Sequence, residues 1–181
     1  KVGMLQDATE QQINDLLGQA YFVRAFCHFE LFRMYGSLPY VDKVLGPNDE
    51  WDIPCMDDYD FLKKCAEDYY TAYEYLSKAG VMRRDATGNL ESPDMDKPNG
   101  VAALAMRSRV LLYAASPLNN PGSDTKRWED AADAAALALN AALDNKYSLL
   151  PMSEYSKNFY GVKYSKEQLW GWTSGSTYKY D

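Results

Sequence analysis

The stretch spanning residues 9–35 constrains this chain most. Ile13, Leu17, Ala20, Tyr21, Leu31 and Phe32 recur at the i, i+3, i+4 spacing of one helix face, and Phe22, Phe26 and Phe29 mark a second. That period is helical. At ~1.5 Å per residue such a helix is about 40 Å long. With two apolar faces it is expected to sit between neighbours rather than on one surface. Gly36 supplies the left-handed stop, and Pro39 forbids continuation.

Three further helical patterns follow, separated by loops rich in Gly, Pro, Asn and Asp. Residues 56–77 open with Asp57, Asp58 and Asp60, where negative charge suits a helix N-terminus, and carry a stripe of Phe61, Leu62, Cys65, Tyr69, Ala72, Tyr73 and Leu76 ended by Gly80. A polar loop over residues 83–100 contains Pro93 and Pro98. Residues 101–115 place Ala102, Ala105, Arg109, Leu112 and Tyr113 on a third helix, broken by Ser116-Pro117, and residues 128–144 form a fourth rich in alanine. Small side chains let two helix backbones approach closely. After Tyr147 the period changes, and residues 168–173 (QLWGWT) read as a short strand. The expected fold is mostly all-α, with helical hairpins like those of tetratricopeptide (TPR) proteins, long loops and a short strand-like C-terminal segment. The irregular spacing is not that of true 34-residue repeats. The chain opens without Met and stops at Asp181. Residues 1–181 therefore read as one domain segment cut at both ends.

Charge and composition exclude several functions. Nineteen basic against 26 acidic residues give a net charge of −7, which argues against a protein that tracks nucleic-acid phosphates. A single histidine, His28, rules out multi-histidine metal sites, and Cys27, Cys55 and Cys65 form no C-x-x-C pair. Asp94 and Asp96 have a hint of calcium-loop spacing but lack the remaining ligands, so no metal or cofactor is expected. Neither a signal peptide at the start nor a run of ~20 apolar residues is present.

Residues 18–41, GQAYFVRAFCHFELFRMYGSLPYV, resemble the signature of the SusD/RagB family, carried here by Ala20, Phe22, Arg24, Ala25, Phe29, Leu31, Arg33, Tyr35, Gly36 and Pro39. Residues 99–120 (NGVAALAMRSRVLLYAASPLNN) and 128–150 (WEDAADAAALALNAALDNKYSLL) resemble the following conserved blocks, and Asn158-Phe159 with residues 166–172 a later one. Those proteins are surface glycan-binding lipoproteins of Bacteroidota. The resemblance implies a non-catalytic receptor at the outer membrane that captures oligosaccharide for a SusC-like TonB-dependent transporter. It also implies membrane attachment only through a lipid anchor, whose cysteine is not in this sequence.

Sugar capture needs flat rings for stacking on C–H patches and polar groups for the hydroxyl rim. Trp170, Trp172, Tyr178 and Tyr180 alternate along the last stretch, so within each pair the side chains would share a strand face. The ordinary alternative is that Trp170 and Trp172 cover the helical core. Trp51 in the loop GPNDEWDIP is a further candidate, since loops carry binding groups disproportionately. Asn119 and Asn120 could reach sugar hydroxyls or serve only the turn between Pro117 and Pro121. Arg24, Arg33 and Arg109, set in apolar patterns, are expected to pair with carboxylates such as Glu30 or Glu67. A TPR-like scaffold gripping a peptide or partner along a helix groove is the competing reading. A glycoside hydrolase would need two carboxylates facing across a cleft, and no such pair is recognisable.

Overall fold

The computed structural model describes residues 7–84, 96–159 and 165–171. Four helices follow in order: α1 (Glu10–Tyr35), α2 (Asp58–Lys78), α3 (Gly100–Ala115) and α4 (Thr125–Asp144), then a short 3₁₀ helix at Met152–Asn158. Each helix packs on the next, α1 on α2, α2 on α3 and α3 on α4. This is the stacked-hairpin arrangement that the periodicity implied.

Side-chain caps fix the helix starts. Thr9 and Gln12 form a reciprocal capping box at α1, while Asp57, Asn99 and Asp124 each accept a backbone N–H at the start of α2, α3 and α4. The Asp124 cap starts α4 at Thr125, three residues before the alanine pattern becomes visible. At the other end of α2, Gly80 takes φ 71° and Val81 N–H reaches back to the Leu76 carbonyl at 2.8 Å, a Schellman closure. Arg83 donates to the carbonyls of Asn145 and Lys146, both at 2.9 Å, satisfying groups left open at the end of α4.

The core lies between α1, α2 and α3. Phe22, Phe29, Phe61, Leu62, Tyr69 and Leu76 are wholly removed from solvent, and burying each side chain of this kind contributes about 1.5–3 kcal/mol. The buried line of α1 is Gly18, Phe22, Ala25, Phe29 and Phe32. Leu31 and Val23 instead face solvent, at 43% and 49% exposure. Rings at nearly every turn of α1 made both faces look interior. One of them meets α2 and, through the edge contact of Phe29 with Tyr113, α3. The alanines of α4 divide similarly: Ala131, Ala134 and Ala138 are buried, and the others lie outward or at the edges.

Of the strand expected over residues 168–173, residues 168–171 form no strand ladder, and residues 172–173 lie outside the described residues. The segment 165–171 is held by a backbone hydrogen bond from the Ser148 N–H to the Lys166 carbonyl at 3.3 Å and by side chains. Glu167 accepts from the Leu150 N–H at 2.6 Å and from the Asn158 amide, and Asn99 donates to the Leu169 carbonyl at 2.8 Å. Apolar alternation without a neighbouring edge to pair with does not make a strand.

Gly18 marks the close approach of α1 to α2. A Cβ built there would lie 2.5 Å from Cγ of the buried Leu76 and 3.1 Å from the Ala72 carbonyl. Gly18→Ala is expected to lose about 1–2 kcal/mol in denaturant unfolding, because the overlap outweighs the ~1 kcal/mol gain in helix propensity. A stabilised variant would mean that the helices part freely at this point.

Candidate functional site

The loop between α1 and α2, residues 36–57, is long for a connection without secondary structure, and loops of that length are usually functional. It is tied down at both ends. Ser37 Oγ donates to the Met56 carbonyl at 2.6 Å, closing the base. The Arg24 guanidinium donates from Nε (2.5 Å) and Nη2 (2.7 Å) to the two oxygens of Asp68 on α2, and from Nη1 to the Asp42 carbonyl at 2.9 Å. Tyr40 Oη adds a third hydrogen bond to Asp68, at 2.7 Å.

His28 completes the anchor. Its ring stacks on Tyr40 with centroids 4.1 Å apart and 16° between planes. Its Nε2 accepts the Val41 N–H at 3.2 Å, which leaves Nδ1 to carry the ring proton and donate to the Arg24 carbonyl at 2.8 Å. One arginine, one carboxylate, one phenol and one imidazole thus fix the backbone of residues 40–42 against two helices.

The electrostatics follow from burial and from Asp68. Hydrogen bonding to Asp68 holds the Arg24 guanidinium further above its already high range, against the opposing effect of desolvation. Burial, then the hydrogen bond to Asp68, pushes the Tyr40 phenol well up. Burial, then the negative charge of Asp68, pushes the Cys65 thiol up to about 12. Burial likewise raises Tyr69. Tyr40, Cys65 and Tyr69 stay neutral at physiological pH, so the charge pair of this anchor is Arg24 with Asp68.

On this anchor stands Trp51, 65% exposed. Its indole N–H donates to the Gly46 carbonyl at 3.2 Å, holding the ring against a turn closed by Asp49, whose carboxylate accepts the Gly46 N–H at 2.7 Å. Its chain neighbours Glu50 and Asp52 line a cleft of about 300 Å³, together with Tyr40, Asp42, Lys43 and Ile53 among others. Glu50 and Asp52 face the cleft from either side of Trp51 in the chain. An accessible ring, fixed through its own N–H and flanked in the chain by hydrogen-bonding groups, suits sugar stacking.

The other candidates are placed differently. Trp170 makes edge contacts with Phe22 and Phe26 (centroids 5.0 and 5.4 Å) and donates its N–H to the Asp96 carbonyl at 2.8 Å, so its ring is half-buried against α1. Asn120 is buried, its amide bound to the carbonyl and N–H of Asp124. Asn119 donates to the Tyr113 carbonyl at 2.9 Å within the same turn. Trp172, Tyr178 and Tyr180 lie outside the described residues. Arg33 pairs with Glu30 at 2.8 Å, as the spacing suggested, but Arg24 pairs with Asp68. Asp68 and Tyr40 were not singled out from the sequence, although position 68 lies on the apolar stripe of α2.

A second concavity, about 620 Å³, runs between α2 and α4 over α3 and includes Tyr59, Lys63, Glu67, Tyr70, Arg107 and Asp133 in its lining. Arg127 covers the Tyr59 ring at 3.7 Å and Arg107 the Tyr70 ring at 5.0 Å. Among the described residues, no three His, Cys, Asp or Glu side chains gather to hold a metal ion.

No family model matches the sequence. Over 50 residues, 28% of the chain, it is 38% identical to SusD-like protein P2 of Formosa agariphila, a stretch that is 10% of that protein. The fold matches the crystal structure of a SusD-like protein from Bacteroides fragilis with a TM-score of 0.59 and 26% identity, over 80% of this chain and 23% of that one. The chain is therefore similar to SusD-like proteins in sequence and in fold, and spans less than a quarter of either relative's length.

Two outcomes follow from the anchor. Asp68→Ala strands the Arg24 guanidinium and the Tyr40 hydroxyl, and is expected to cost about 2–4 kcal/mol. Amide exchange should quicken at Val41 more than in mid-α2, and equal protection in both places would contradict the anchoring role. The raised groups set the response to alkali. Folded Cys65 keeps its proton to about pH 12, whereas an unfolded cysteine loses it near the ordinary 9.0. The unfolded state then binds fewer protons, so stability is complete below about pH 9 and falls as pH rises above it, by up to ~1.4 kcal/mol per unit for each such group. Denaturant midpoints measured from about pH 7 to 11 check this, and a flat profile would count against the buried thiol and phenols.

Proposed function

We propose that this chain is part of a non-catalytic receptor that captures an oligosaccharide at the cell surface, with Trp51 as its contact in this segment. The observation that carries the reading is the Trp51 ring, exposed and tied to Gly46 on an anchored loop whose neighbouring residues Glu50 and Asp52 line a polar cleft. The similarity to SusD-like proteins supports it. The helical stack serves as a rigid frame, and capture proceeds by stacking and hydrogen bonding, without bond cleavage.

In the same reading the sugar passes to a SusC-like TonB-dependent transporter in the outer membrane, and attachment comes from a lipid anchor outside this segment. No helix among the described residues is long and apolar enough to cross a membrane. Trp170, Trp172, Tyr178, Tyr180, Asn119 and Asn120 remain proposed contacts of lower rank.

The groove between α2 and α4 favours a second reading, a scaffold that grips a partner segment. The two readings separate by ligand. Titration with glycans should perturb tryptophan fluorescence under the first only. Trp51→Ala should weaken oligosaccharide binding about tenfold or more, equivalent to ~1.4 kcal/mol, while shifting stability by no more than about 0.5 kcal/mol because the residue is exposed. Unchanged glycan affinity in that variant would remove Trp51 from the site.

A further inference from the structure

The charges around Trp51 carry the functional reading further, to the class of sugar accepted. Asp49, Glu50 and Asp52 lie within two positions of Trp51, and Asp42 and Lys43 line the same cleft as Glu50 and Asp52. Four carboxylates against one ammonium leave three negative charges on this loop. All five side chains are exposed, and among the described residues none of the four carboxylates is in an ion pair. Asp49 accepts the Gly46 N–H, and that bond does not neutralise it. Arg24 is committed to Asp68 and reaches Asp42 only through its backbone carbonyl.

The geometry points to a site that takes neutral or amino-sugar oligosaccharides and rejects uronate and sulfated ones, an inference that rests on the glycan-binding reading of Trp51. Consecutive Cα atoms are ~3.8 Å apart. A sulfate or carboxylate on a sugar stacked against the indole therefore enters the summed field of carboxylates rooted one and two residues away, a field that decays over a Debye length of about 8 Å at physiological ionic strength. Like charges so placed are only partly screened at physiological salt and are screened strongly at high salt. Carboxylates are acceptors only, so they suit the donor rim of a neutral sugar's hydroxyls, and an amino sugar's ammonium adds a stronger, charge-assisted bond. An anionic sugar offers acceptors to acceptors.

A panel of neutral, amino, uronate and sulfated oligosaccharides on an array, read at physiological salt with the protein and with its Glu50→Gln/Asp52→Asn variant, tests the inference. The expected result is retention of neutral and amino sugars, with anionic ones bound at least about tenfold more weakly. The neutral-to-anionic ratio should shrink in the double variant and at high salt. A preference for uronate or sulfated sugars that Trp51→Ala abolishes would overturn the charge inference and leave the glycan reading intact. A ratio unmoved by the double variant would also overturn it. Binding to no member of the panel would overturn both.

Discussion

The bidentate pair between Arg24 and Asp68 is the contact on which the functional face depends. Asp68 is 8% exposed, and a carboxylate so placed is costly unless its oxygens are occupied. Both are, by the Arg24 fork and the Tyr40 hydroxyl. The pair joins the middle of α1 to the middle of α2, and Arg24 passes its remaining donor to the loop backbone at Asp42. Ordering such a loop costs roughly 1–2 kcal/mol of backbone entropy per residue. That cost is offset only where the chain is hydrogen-bonded or packed, which here means the stretch from Ser37 to Val41 and the closure at Met56. Trp51 lies between these ties and takes its own local one from Gly46.

The helices provide the stiffness that the anchor needs. Glycine and alanine at the contacts, Gly18 against Leu76 and Ala131 and Ala134 on the α3 side of α4, bring backbones close and leave little play. Arg84, nearly buried, links Asp15 on α1 to the Pro98 carbonyl before α3, so polar ties reinforce the apolar stack across segments far apart in sequence. Trp170 contributes to this frame through Phe22 and Phe26.

Much of this was legible in the residues. The stripe of α2 from Phe61 to Leu76 has one clear period and one buried face, and the structure repeats it almost residue for residue. In α1 aromatic side chains at most turns left two faces equally plausible, and only the packing against α2 shows that Leu31 and Val23 point outward. The C-terminal stretch alternated like a strand, but alternation does not say whether a partner edge exists. The arginine partner went to Asp68 because it is rotated about 100° from Glu67, onto the buried face. A carboxylate in step with Phe61, Cys65 and Ala72 was the available sign. Trp51 was legible as a loop tryptophan, while its exposure and its tie to Gly46 depend on a turn that no periodicity encodes.

The account centres on a rigidly held loop that offers one indole to a sugar. Fluorine NMR of protein carrying 5-fluorotryptophan, titrated with an oligosaccharide that binds, tests it most directly. The Trp51 resonance should be sharp in the free protein and shift on titration more than that of Trp170, which is committed to the frame. A Trp51 signal that stays in place while the ligand saturates would contradict the account at its centre.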